Sequence, residues 1–238
     1  MRFAIETQVF ATLPTLYVGV VGAQGIDAAA ESAYPAIDRL LDSAVADVSA
    51  RLAGMNASDD PRVQPYRAAF HALGMSPSRY PSSNIALLRR IVKGKGIGRV
   101  NPVVDAGNAV SIKYGLPLGA HALGPDETLE LRFSRAGDTF VELGQTQPDE
   151  TLAPGELVYA VGNLVQTRRW TWRQSENGKV DGAASRVLVP IDGFAGRNDA
   201  AVRAACDELA TCLRDQFAAH VEVAFANADN PVCAFPQR

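Results

Sequence analysis

The groups in this 238-residue chain whose types and spacing could do chemistry fall in two short blocks and one turn. Asn101, Asp105 and Asn108 recur at spacings of four and three, which on a helix share one face. Such a row could hold a polar ligand. Equally, Asn101 could cap the helix and Asp105 could hold a basic neighbour. The second block, RRWTWRQS at 168–175, carries Arg168, Arg169, Arg173, Gln174 and Ser175 around two tryptophans, Trp170 and Trp172. Read as a strand, it puts both tryptophans on one face and Arg169, Thr171 and Arg173 on the other. Tryptophans on one face belong in a core, yet Trp and Arg together also stack on bases or clamp a carboxylate. The turn is GLPLG at 115–119, after which a loop can present His121 to a pocket. The other histidines read as structural: His71 beside Phe70 on a helix, and His220 after the last helix, where it can favour the dipole.

Several chemistries are excluded. There is no nucleophile elbow with a Ser/His/Asp order and no HExxH. Cys206, Cys212 and Cys233 contain no CxxC pair, so neither a zinc site nor a disulfide framework is expected, which suits a reducing cytoplasm. The loop KGKGIGR at 93–99 lacks the ending and spacing of a phosphate-binding P-loop, although its three alternating glycines let backbone N–H groups approach an anion. No secretory leader and no apolar run of about 18 residues is present, so no membrane partner is expected.

The net charge is −3, which does not make the whole surface a polyanion binder. The charge is uneven, however. Arg89, Arg90, Lys93, Lys95 and Arg99 follow one another with no acid between, and the three arginines of RRWTWRQS form a second group. A local basic face on an acidic chain suits a phosphate-bearing ligand or RNA. A pair of solvated helix faces is the plainer reading.

The elements that must position these groups follow from periodicity. Residues 3–9 and 16–21 read as strands, the second continuous and apolar. Ile37, Leu41, Ala44 and Val48 give a helix over 31–53 one apolar face. Asp60 can cap a helix over 61–73, Ser82 or Ser83 one over 84–93, and Gly115 ends one over 103–114. Short strands are expected at 129–133, 140–143, 156–159, 164–171 and 186–191, separated by turn clusters. A last helix begins at Asn198, and 221–225 is a final strand. Helices crowd the first half and strands the second, with strands also at both ends. This predicts an α+β fold, with a central, mostly antiparallel sheet flanked by helices, in one domain over 1–238.

The motifs also carry a resemblance. NPVVD at 101–105, NAV from Asn108 and GLPL from Gly115 resemble the B3/B4 domain of the phenylalanyl-tRNA synthetase β subunit. LELRF at 129–133, GD at 137–138, LG at 143–144 and GELV at 155–158 fit as well. The entry SPSRYPSS at 76–83 and RRWTWRQS are similar to the stand-alone members. The likeness covers roughly residues 70–193. It implies an editing module: a freestanding, cofactor-free and metal-free aminoacyl-tRNA deacylase in the cytoplasm. Its partner would be the tRNA acceptor end with its aminoacyl ester, not DNA. Under that resemblance His121, Arg173, Gln174 and Ser175 are the catalytic candidates, with Arg173 for the oxyanion and Gln174 and Ser175 to orient water or the ester. Asn101, Asp105, Asn108, Arg168 and Arg169 would bind substrate, and Arg89, Arg90, Lys93, Lys95 and Arg99 the RNA. Where the synthetase members carry a histidine, in Gly-x-Pro-x-His, this chain has Gly119, with His121 two residues on. The family's acidic position falls at Pro190, with Asp192 nearby. The alternative is a non-catalytic module that binds tRNA or an amino acid.

Overall fold

The apolar run that begins at Leu16 sets the architecture. It forms strand β2 (Leu16–Gln24), buried at every position, as a strand whose sheet is covered on both faces must be. The computed structural model describes residues 1–149 and 151–236. In it β2 pairs antiparallel with β8 (Arg186–Phe194) and β9 (His220–Ala226). The short β3 (His121–Ala122) adds to the far edge of β8 and completes a four-stranded sheet. Helix α6 (Asp199–Phe217) lies close over this sheet: a Cβ on Gly19 would overlap the Cys206 sulfur.

A second, six-stranded sheet holds β10 (Val232–Ala234), β1 (Arg2–Ile5), β4 (Thr128–Phe133), β5 (Leu157–Val161), β6 (Leu164–Arg168) and β7 (Arg173–Gln174), in that order. All its pairings are antiparallel except β1 with β4. The remaining helices are α1 (Thr7–Thr12), α2 (Tyr34–Arg51), α3 (Gln64–Ala72), α4 (Ser83–Val92) and α5 (Pro102–Tyr114). One apolar cluster binds both sheets to α3, α5 and α6, and a second joins α2, α4 and α5 through Leu41, Val48, Ile85, Leu88 and Ile112. The fold is α+β, as expected, with the strands divided between two sheets. Among the described residues no helix is long and apolar enough to cross a membrane.

The helix limits follow their signals. Asp60 accepts from the Arg62 amide and opens the turn into α3. Asn101 caps α5, and Gly115 ends it in the left-handed conformation, φ 71°, which costs glycine little. Ser82 does not cap α4, because its hydroxyl donates to Asn84 Oδ1 at 2.6 Å. Three expected strands differ. Residues 3–9 divide into β1 and α1: Val9 and Leu13, four apart, are both buried, a helical spacing. Residues 140–143 make only a single bridge, Glu142 to Ser175. The strand over 164–171 stops at Arg168, because Arg169 and Trp170 turn into the left-handed region at φ 49° and 61°.

Arg168 closes β6 and is 1% exposed. All five of its N–H donors are used, on Asp149, Thr151 and Glu156, at 2.6–2.9 Å. A guanidinium so engaged fastens Asp149, Thr151 and Glu156 to the end of β6. Arg168→Ala strands two carboxylates beside a buried site. It is expected to lower stability by about 3–5 kcal/mol in denaturant titration, with Arg168→Lys recovering only part of the loss.

Candidate functional site

An acid in a strand that is otherwise buried and apolar is the starting point. Asp192 sits near the end of β8 and is 1% exposed. Tyr159 on β5 donates to its Oδ1 at 2.7 Å, and Trp170 Nε1 donates to the same oxygen at 2.8 Å. Tyr66 on α3 donates to the Asp192 main-chain oxygen at 2.8 Å and accepts from Asn198 at 2.9 Å. Two donors favour the ionised carboxyl, but burial outweighs them and lifts its pKa to about 7.

Asp192 lies at the floor of a cavity of about 400 Å³ walled by α4, α5, the 118–121 segment and β5 to β8. His121 lines the same cavity, 1% exposed, its ring 5.7 Å from that of Tyr159. Burial holds the imidazole pKa down to about 3, so His121 is neutral at physiological pH. Its Nδ1 has no hydrogen-bond partner among the described residues, nor do the buried hydroxyls of Ser83 and Thr171. All three residues line the cavity. Buried polar atoms left without partners are costly, and three on one cavity wall mark it as a place for a polar ligand. The histidine's position also explains Gly119: a Cβ there would stand 3.3 Å from His121 Nε2 and 3.6 Å from Gln174 Oε1. The His121 ring fills the space a side chain at 119 needs.

The rim is cationic, with Arg90, Arg173 and Lys179. Arg173 pairs with Glu142 and lies 4.5 Å over the Trp172 ring, and Lys179 pairs with Glu176 at 2.6 Å. Gln174 donates to the Gly178 carbonyl at 3.1 Å and accepts from Thr167 at 3.1 Å.

The structure thus brings His121, Arg173, Gln174, Asn108 and Arg90 to one cavity. Other expected residues stand apart from its lining. Ser175 is fully buried, donating to the Val141 carbonyl at 2.9 Å. Asn101 spends its side chain on the Val104 amide and the Val180 carbonyl. Asp105 accepts from the Val100 amide at 3.1 Å, and burial raises its pKa. Arg168 is locked in its carboxylate network, and Arg169 lies beyond the rim, 4.1 Å over Tyr80. Of the basic series, Arg99 is held by Asp38 and Asp42 at 2.7 and 2.6 Å, and Arg89 donates to Ser58. Lys93 and Lys95 are exposed. The two tryptophans differ in burial: both line the cavity, but Trp170 is fully buried in the core and Trp172 only partly covered. Asp192, Tyr159, Ser83 and Thr171 were not among the candidates from sequence, and the acid inside an apolar run was the one signal for them.

The match to known families falls on these walls. The family model of the B3/4 domain covers residues 65–218, more than half of the chain and every element around the cavity. The chain belongs to the B3/4 domain family. Among solved structures it is similar to an N-terminal fragment of the phenylalanyl-tRNA synthetase β subunit from Pyrococcus horikoshii, with 9% identity and a TM-score of 0.42. That likeness covers 92% of this chain and 49% of the fragment, so the chain spans about half of the fragment's length. No curated protein matches the chain.

Asp192 and His121, two of the buried titratable groups of this B3/4 domain, give opposite pH slopes. Asp192 binds its proton more tightly folded than unfolded, so its contribution to stability falls as pH rises from about 4 to about 7. His121 binds its proton less tightly when folded, so its contribution is lost as pH falls from the ordinary 6.5 toward about 3. Asp192→Asn keeps an oxygen for Tyr159 and Trp170 and removes the first slope. The variant is expected to gain on the wild type between pH 5 and pH 8, by on the order of a few kcal/mol. Denaturation midpoints at the two pH values check this, and parallel curves would contradict it.

Proposed function

We propose that this chain acts on aminoacyl-tRNA and hydrolyses, in trans, the ester of a misacylated tRNA. The observation that carries the reading is the single cavity in which His121, Arg173 and Asp192 meet. Family membership supports it, as does the likeness of residues 101–118 to an editing module. In this reading the acyl group enters the cavity and the ribose and phosphates stay at the cationic rim. Water adds to the ester carbonyl, the negative charge moves to the carbonyl oxygen, and the ribose oxygen leaves with a proton.

Each step has a group suited to it. A carboxyl with a pKa of about 7 takes a proton from water near neutral pH, which fits Asp192 for general-base work. The neutral His121 lines the cavity and gives it an uncharged imidazole wall for the acyl group. Arg173 supplies positive charge for the developing oxyanion, and Gln174 braces the 119–121 wall. A binding-only module is the second reading. It is favoured by one fact, the depressed His121 pKa, which makes the imidazole a poor base.

Incubation with a panel of charged tRNAs separates the two. Hydrolysis predicts loss of at least one aminoacyl ester above background, rising with pH through about 7 as Asp192 ionises. Asp192→Asn is expected to cut kcat/KM by roughly a hundredfold or more. Ligand-induced melting shifts with no ester lost from any tRNA would leave the binding module instead.

A further inference from the structure

The left-handed turn after β6 does more than bury Trp170. It delivers Arg169, Trp172 and Arg173 to the surface beside Arg79 and Tyr80, which come from the loop ahead of α4. There cations and rings alternate. Arg173 lies 4.5 Å from the Trp172 ring centre, and Arg169 lies 5.1 Å from the same ring. Arg169 is also 4.1 Å from the Tyr80 ring, and Arg79 is 5.2 Å from that ring. Tyr80 and Trp172 meet edge-on at 5.0 Å. The series starts at the cavity, since Trp172 and Arg173 line it, and ends at the exposed Arg79.

Its charge is only partly spent internally: Arg173 is paired with Glu142, but the other two arginines are less engaged. Arg79 has no carboxylate partner among the described residues. Arg169 reaches Glu156 only at 3.4 Å, while Arg168 holds that carboxylate with two shorter bonds at 2.9 and 2.7 Å. The basic series near α4 differs: Arg99, its last cation, is taken by two aspartates.

We propose that this Arg–aromatic ladder seats the unpaired nucleotides of an RNA single strand as it enters the cavity. The proposal rests on the reading that the cavity takes an RNA-borne ester. Guanidinium planes and aromatic rings both stack on any base, whereas duplex bases hide their faces from such a surface. Arginines between the rings meet the phosphates of the same strand. The ladder therefore selects an unpaired end without reading its sequence.

The test compares an RNA hairpin carrying a short unpaired 3′ end with the same hairpin made blunt. Binding is followed by tryptophan fluorescence and, independently, by anisotropy of labelled RNA. The chain has two tryptophans, and both line the cavity, so the part of the quench lost in Trp172→Phe is what reports on Trp172. The overhang is expected to bind and quench, and Trp172→Phe to abolish most of the quench while keeping the melting temperature. Trp172→Ala is expected to weaken binding roughly tenfold or more. Arg79→Ala and Arg169→Gln should each flatten the salt dependence by about one unit of slope. Equal affinity for the blunt hairpin would overturn the proposal. So would wild-type affinity in folded Trp172→Ala, or an equal loss in Arg39→Ala, which removes a cation elsewhere. Charged tRNA keeps the two readings apart. Ladder-dependent RNA binding without ester loss would leave the ladder and remove the deacylase, and ester loss indifferent to ladder variants would do the reverse.

Discussion

The carboxyl of Asp192 is the junction on which the two sheets depend. It belongs to β8 of the four-stranded sheet, and the groups that hold it are Tyr159 on β5 of the six-stranded one and Trp170 in the turn between that sheet's β6 and β7. Its main-chain oxygen also ties down Tyr66 of α3, which in turn accepts from Asn198 at the start of α6. A buried carboxyl with two neutral donors is not a cheap fastening, since burial still lifts its pKa to about 7. An apolar residue there would pack without that cost, but it would leave a phenol and an indole N–H unpaired. The same atoms that join the sheets thus keep a carboxyl near neutral pKa at the floor of a cavity.

The turn after Arg168 is the second constraint. Two non-glycine residues in the left-handed region cost ~1–2 kcal/mol each. The Trp170 ring offsets this by packing on Phe70, Tyr66 and Phe194 at 5.8–6.2 Å, with its N–H on Asp192. A full tryptophan burial is worth more than the strain. Once Trp170 is fixed inside, Trp172 and Arg173 follow it out to partly exposed positions, while Thr171 stays buried. Strain at the turn and exposure at the rim are two sides of one arrangement.

This explains what could be seen in the sequence and what could not. Helices α2, α5 and α6 were visible because their apolar residues recur at helical spacing and because Asn101 and Gly115 mark the ends of α5 chemically. Helices report their buried face locally. The cavity, by contrast, is assembled by pairing between strands far apart in the chain. Tyr159 and Asp192 look like ordinary strand residues until β5 and β8 are brought together. RRWTWRQS reads as an alternating strand because its pattern is one; only the tertiary gain from burying Trp170 makes the chain break that alternation. Asn101 and Asp105 show the converse: the helical spacing was real, but the local amides of Val104 and Val100 claimed both side chains.

The absent side chain at Gly119 then has a physical reading. Leu118 pairs with Ile191 and His121 with Leu188, one continuous antiparallel register, so Gly119 and His121 point to the same side of the segment. Moving an imidazole from 119 to 121 keeps it on that face and carries its attachment roughly 6–7 Å along the chain. Its ring leans back over Gly119, within 3.3 Å of where a Cβ would stand, so the two positions cannot both hold a side chain without displacement. The imidazole is kept but placed deeper, against Tyr159, where burial makes it neutral and weakly basic. In the proposed hydrolysis such an imidazole is a poor proton acceptor, and the one carboxyl lining that cavity among the described residues is Asp192.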